Sequence, residues 1–521
     1  MKHRLITILL LFSLLLALAG CGKKETEPEI SYDEEEQVVA DKTDDLFALN
    51  YSAQSAMNPY TTDNIHNQRV AQLVYENLVQ LDDSFQPQPG LFLSWASEDG
   101  IVWNFQPDLS RVFHDGHQLT ADDIVYSINC AKESAIYTAR LRSIVDVTAW
   151  EDGTVVVTLD RPNTQFPALL TIPVIENNSL SYSYPSGTGP YFFGDEYNTL
   201  LRYNEHPNAK DLPIDVIVLR EYAAMEDVIN AFDNSDLDLV CNDPSGESDL
   251  SFSSVTESRQ YNTTNLQFIA FNTNSRFFSN PVYRRAFGTA VDRSYAVSLL
   301  NDCAVATVLP IHPSSLYYDD TLVGGLGYDM SYAASQLTDA KVLDYDGDGA
   351  REYLASEGST EATELNLTML VCADSKQKTA VCNKLATDLG QIGVTLNVNA
   401  LPWEEYLEAL QIGNFDLYYG ETRLTADFDL SPILVTGGAV NFGGVTNPIY
   451  QEAISAYLSA DDAHRAEACR AMLATIVDNA PILPVCFEKH EVCAHRGVVG
   501  GLAPKQDNIF QDIQNWTIDL S

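Results

Sequence analysis

Asp344-Tyr-Asp-Gly-Asp-Gly349 sets three carboxylates at alternate positions, each pair spaced by one residue. Loops with this spacing offer oxygen ligands to a hard cation such as calcium. A helix-flanked calcium loop also needs a bidentate acidic side chain at its twelfth place. That place is Ala355, and Glu352 is the nearest substitute. A turn-rich hairpin accounts for the same residues without an ion, because Asp bonds nearby backbone and Gly accepts positive φ. The hairpin is the reading adopted, and no metal is assigned. The nine cysteines show no zinc-type spacing, and the nine histidines are scattered. Gly-x-Ser-x-Gly, His-Glu-x-x-His and a Walker loop are all missing from the sequence. No catalytic residue and no cofactor are therefore assigned, and a secreted hydrolase is the disfavoured alternative.

Charge narrows the partners. The chain has 30 Lys and Arg against 73 Asp and Glu, a formal net charge of −43 over 521 residues. Such a surface repels nucleic acid and anionic headgroups. Hydrophobic residues make up 45%, ample for cores, and the length suggests two or more lobes.

The N-terminus gives an address. Lys2 and Arg4 precede an apolar run from Leu5 to Ala19 that ends in small residues, the pattern of a secretory signal. The run is shorter than the ~20 apolar residues a bilayer span requires. Leu18-Ala-Gly-Cys21 resembles the lipobox of bacterial lipoproteins. The resemblance implies a signal peptide over 1–20, acylation of Cys21, and a lipid anchor on the outer face of the cell membrane. Residues 21–45 are charged, Pro-containing and nearly free of large apolar side chains, which predicts a flexible acidic linker. The remaining eight cysteines sit in apolar stretches. They read as buried free thiols, or at most one or two bridges.

Behind the linker, strand and helix patterns alternate. Strands are expected at 46–51, 155–159, 216–219, 239–240, 268–271, 365–371, 394–398 and 415–419. Helices are expected at 65–81, at 281–300, at 379–392, at 403–412 and at 463–477. Thr120 and Asp123 are spaced to cap a further helix. This alternation predicts α/β lobes with mixed sheets.

Several segments then fall into one order. Pro89-Gly-Leu-Phe-Leu-Ser-Trp95, Phe113-His-Asp-Gly116 and Leu119-Thr-Ala-Asp-Asp-Ile-Val-Tyr-Ser127 come first. Gly187-Thr-Gly-Pro-Tyr191, Tyr283-Arg-Arg-Ala-Phe with Asp292-Arg293, and Pro481-Ile-Leu-Pro484 follow. From about Leu46 to Trp516 the chain resembles the family 5 extracellular solute-binding proteins, the peptide-binding subunits of ABC importers. The resemblance implies a two-lobed, periplasmic-binding-protein-like α/β clamp. The first lobe would span 46–265, the second 266–484, and 485–521 would return to the first. Crossing strands are expected near 266–271 and 482–487. It implies a monomer that delivers a short peptide or similar small solute to a permease. Nickel, haem or sugar binding and a sensor role are the alternatives on the same fold. In peptide binders of this family, a strand of the second lobe pairs with the ligand and a buried aspartate holds its ammonium. The matching stretch is Phe415 to Pro432, in which Asp427 is the first choice for that aspartate and Asp429 the second. Arg423 and Thr425 would offer the pairing backbone, and Asn441 a further contact. Here the usual Trp-containing and Asp-Pro pattern is replaced by Glu421-Thr-Arg-Leu and Asp-Leu-Ser-Pro, which leaves solute specificity open.

Overall fold

The computed structural model describes residues 46–520 apart from 245–249, 355–358 and 360. The expected signal peptide, Cys21 and the acidic linker lie outside the described residues. Among the described residues no helix is long and apolar enough to cross a membrane.

An 11-stranded mixed sheet organises the chain. Two of its strands are unusually long for a globular protein: Thr256–Phe271 has 16 residues and Ile482–His495 has 14. They pair antiparallel as a ribbon. At one end, Thr256–Asn262 lies against Lys489–His495, and the ribbon continues into Leu239–Asn242, Phe47–Tyr51 and Val216–Glu221. At the other end, Leu266–Ala270 lies against Ile482–Phe487, and the ribbon continues into Leu417–Arg423, Asn366–Cys372 and Thr395–Leu401. The register shifts between Asn262 and Leu266. Each half of the molecule thus hangs from a different end of one ribbon. The crossing strands extend beyond the expected 266–271 and 482–487, because both continue through the shift into the N-terminal half's sheet.

The N-terminal half adds a four-stranded antiparallel sheet, ordered Phe92–Ala96, Val102–Pro107, Val155–Leu159 and Ile144–Ala149. Phe92 and Phe105 stack there with ring centroids 4.5 Å apart. Trp103 is buried with them, whereas Trp95 is only partly covered. The helix Ala121–Glu133 begins with the expected capping box: Thr120 Oγ1 accepts from Asp123 N, and Asp123 accepts from Thr120 N.

Two expected helices are shorter than their apolar periodicity. The first spans only Ile65–Val74. Past Val74 the chain turns to pair Val79–Leu81 with Pro87–Pro89. The second is broken into Pro281–Gly288 and Arg293–Ser298, with Asp292 capping the new start through Tyr295 N. Arg293 is buried and donates to the carbonyls of Thr307 and Pro484, so it ties the helix to the second crossing strand.

Gly187-Thr-Gly-Pro-Tyr191 owes its glycines to close backbone approach. Gly189 N donates to Val74 O, and a Cβ on Gly189 would lie 2.6 Å from that same carbonyl. His114 Nε2 lies 3.0 Å from Gly189 O, which joins the His-Asp-Gly turn to this segment. Gly116 takes φ +94° in that turn, as Asp-Gly turn chemistry requires. All eight described cysteines are free thiols.

Two outcomes follow from this packing. Gly189→Ala should destabilise the protein by about 1–3 kcal/mol through overpacking against backbone that cannot yield, read as a lowered Tm. Unfolded without reductant, residues 22–521 should release eight titratable thiols, and a smaller count would reveal a bridge.

Candidate ligand cleft

Where the ribbon changes register, the two halves enclose a cavity of about 940 Å³, large enough for a ligand of several residues. One wall comes from Glu421 to Asp429, at and just past the end of strand Leu417–Arg423. The facing walls come from helix Ile65–Val74, the segment around Tyr137 to Ser143, and Arg161 with Asn163. The end of strand Leu239–Asn242 and the returning chain at Gln506 to Phe510 complete it.

Strand Leu417–Arg423 pairs along one edge with Asn265–Phe271 over its whole length. Its other edge pairs with Asn366–Cys372 only at Leu417 and Tyr418. Among the described residues, the stretch from Tyr419 to Arg423 has no strand on that second edge. Arg423 and Thr425 line the cavity directly beyond.

Asp427 is 2% exposed and lies on this wall. Its Oδ2 accepts from Asn163 Nδ2 at 2.8 Å, a bond between the two halves of the molecule. Its Oδ1 accepts from Asp429 N at 3.3 Å, and the Thr425 side chain adds a hydrogen bond. No cationic side chain pairs with it among the described residues. Burial, with the Asp429 charge second, pushes its pKa up to about 6. Asp429 differs: one oxygen lies 3.6 Å from Arg142 and 4.0 Å from Arg161, and Ser431 N donates to the other. The structure thus brings Asp427, Asp429, Arg423 and Thr425 together. It does not bring Asn441, whose amide donates to Val435 O and Val445 O and whose carbonyl accepts from Val445 N. Asn441 clamps its own loop and does not line the cavity.

Sequence reading missed the facing walls. Arg69, Arg140, Tyr261, His490 and Asp507 all reach the cavity. Asp507 Oδ2 accepts from Leu81 N, whereas its Oδ1 is buried with no hydrogen-bond partner. Burial pushes this carboxyl up to about 6 as well. The one available signal was scarcity: in so acidic a chain, each arginine stands out.

The Asp344–Gly349 loop lies away from the cleft lining. Asp344 accepts from Gly347 N and Gly349 N, Asp348 from Ala350 N, and Glu352 from Tyr345 N. Leu343 bridges to Glu352, and Glu352–Leu354 pairs with Ala362–Glu364. Its carboxylates accept from the loop's own backbone, and those of Asp344, Asp346, Asp348 and Glu352 also converge to within 4.8 Å of one another.

The buried carboxyls set a pH dependence. Between pH 3.8 and about 6 the native state keeps protons on Asp427 and Asp507 that the unfolded chain has released. Stability therefore falls as pH rises through that window. Asp427→Asn should flatten part of this decline, read from urea midpoints at pH 4, 5, 6 and 7.

Comparison with known proteins gives concordant results. The family model "Bacterial extracellular solute-binding proteins, family 5 Middle" matches residues 86–434. Heme-binding protein A of Haemophilus influenzae is 24% identical over 430 residues, 72% of this chain and 73% of that protein. Periplasmic oligopeptide-binding protein OppA of Salmonella typhimurium is 22% identical over 514 residues, covering 89% of this chain and 91% of OppA. The crystal structure of the ABC transporter substrate-binding protein CtaP from Listeria monocytogenes superposes with a TM-score of 0.72 at 19% identity. The match covers 91% of this chain and 99% of CtaP.

Proposed function

This chain belongs to the family 5 bacterial extracellular solute-binding proteins, and we propose that it captures a short peptide between its two lobes for an ABC permease. The observation that carries the reading is the second edge of the strand from Tyr419 to Arg423, which has no strand on it among the described residues and ends on the cavity wall that also holds Asp427. An extended peptide can add to such an edge. Its main chain supplies affinity, and its side chains fall into the cavity. Strand addition is tolerant of sequence, which suits an importer.

Asp427 is the carboxylate placed to receive the peptide ammonium. It is buried, it retains lone-pair capacity beyond that used by Asn163, Asp429 N and Thr425, and among the described residues no cationic side chain pairs with it. Asp429 is already faced by two arginines, so it orients Arg142 and Arg161 in place of the ligand. An arriving ammonium would pull the Asp427 carboxyl back toward its ionised form.

Lobes assigned as 46–265 and 266–484, with 485–521 returning to the first, would rotate about the shift between Asn262 and Leu266. The Asn163–Asp427 bond joins the lobes, so a ligand at Asp427 acts directly on their contact. The chain acts as a monomer. Acylation at Cys21 holds it at the outer membrane face, with the acidic linker as tether. The similarity to heme-binding protein A supports one alternative, a non-peptide solute in the same cavity.

Calorimetry tests the peptide reading. Short peptides should bind near micromolar, about −8 kcal/mol. Asp427→Asn should weaken them at least about a hundredfold, since breaking one side of a buried charge pair costs about 3–5 kcal/mol. N-acetylated peptides should bind the wild type poorly and lose little more in the variant. Unchanged affinity in a folded Asp427→Asn protein would remove the aspartate from this role. For the anchor, Cys21→Ala should release the protein from the membrane fraction in detergent partitioning.

A further inference from the structure

We infer that the captured solute is acidic, and that a carboxylate beyond its terminal one joins the terminal one in bridging Arg423 of one lobe to Arg69 and Arg140 of the other. The inference rests on the solute-binding reading above and adds the ligand's charge class to it.

The argument begins with the distribution of cations. Lys and Arg number only 30 against 73 acids, yet five arginines reach this one cavity. Arg142 and Arg161 face Asp429. Arg69, Arg140 and Arg423 have no carboxylate within ion-pair distance among the described residues. Arg69 and Arg423 also make no side-chain hydrogen bond there. Arg140 donates two of its guanidinium nitrogens to Thr171 and leaves its buried Nε without a partner. Burial lowers Arg140 to about 10 and lowers Arg423 too; Arg140 is half-buried over the Tyr137 ring, whereas the Arg423 side chain stays exposed to the open cleft.

The three act on shared ground. Arg140 and Arg423 both influence the Tyr137 phenol, and Arg69 and Arg423 both influence Tyr261. Both tyrosines also line the cavity. The acids nearby are otherwise engaged: Glu421 with Lys378, Asp427 with Asn163. Asp507 lies within electrostatic reach of Arg140 and Arg423 but bonds to neither. A guanidinium's planar fork is shaped for carboxylate, and here three of them face one cavity without an anionic partner among the described residues. Three forks offer more donors than one carboxylate can accept bidentately, whereas a terminal carboxylate and an acidic side chain beside it can together engage all three. Because Arg423 approaches from one lobe and Arg69 and Arg140 from the other, that second anion also favours closure.

The test uses the ligand-stripped, refolded chain from residue 22 onward and three defined probes: the tripeptides Ala-Glu-Ala, Ala-Gln-Ala and Ala-Lys-Ala. The Glu peptide should bind at least tenfold more tightly than the Gln peptide, and the Lys peptide should bind weakest. Arg69→Gln and Arg423→Gln should each remove most of the Glu-over-Gln preference while keeping the wild-type melting profile. Arg423→Lys should restore part of it, because the charge returns without the fork. Equal binding of the Glu and Gln peptides would overturn the acidic class and leave the peptide reading intact. An Ala-Gln-Ala amide that loses all affinity, with no Glu-over-Gln gain, would likewise overturn it by giving the arginines to the terminal carboxylate. If no peptide binds, mass spectrometry of the native extract decides. An acidic non-peptide that disappears from Arg69→Gln and Arg423→Gln preparations would uphold the charge class while the peptide reading fails.

Discussion

The antiparallel ribbon of Thr256–Phe271 and Ile482–His495 is the constraint on which the molecule is built. A chain that leaves one sheet, builds another and returns must cross twice, and here the two crossings hydrogen-bond to each other. Their break in register frees backbone polar groups that must be satisfied. Thr263 Oγ1 donates to Glu488 O, Thr264 Oγ1 donates to Leu424 O, and Thr264 N donates to Gln506 Oε1. Leu424 and Gln506 are themselves cavity-wall residues. The irregularity that lets the ribbon bend is therefore the same feature that positions the cleft.

Around it, charge is distributed by partner. Glu488 is fully buried at the crossing, held by Gln267 Nε2 and Asn265 Nδ2, with burial and then Glu421 pushing it up to about 7. Gln267 in turn accepts from the Tyr419 hydroxyl, so one polar chain runs from the ribbon into the ligand-facing strand. Some of these carboxylates have cationic neighbours, and others have none among the described residues. The distinction between Asp429 and Asp427 is of this kind, although they stand two residues apart in sequence.

Local signals were legible because local physics decided them. The Thr120 capping box, the helix Trp403–Ile412 ended by Gly413 in the left-handed region, and the strand Phe47–Tyr51 all follow from residues within one turn or one pleat. The ordered landmarks carried the family fold. Apolar periodicity overran at Val74, where the chain turns into strand pairing, and at Gly288, beyond which Asp292 caps the start of a separate helix. The Asp427 wall was legible from one contiguous stretch. Arg69, Arg140, Tyr261, His490 and Asp507 were not, since they come from five separate parts of the chain and meet only in three dimensions. Asn441 looked equally exposed to function, but its amide is used within its own loop.

The last wall of the cavity comes from Gln506, Asp507, Ile509 and Phe510, in a chain of 521 residues. Synthesis runs from the N-terminus, so a nascent copy holds Asp427 and the arginines long before it holds their closing surface. Thr264 N lacks its acceptor at Gln506 until that segment arrives. Binding competence is consequently among the last properties the molecule acquires. A copy that has not yet added residues 506–510 has no finished chamber in which to hold anything.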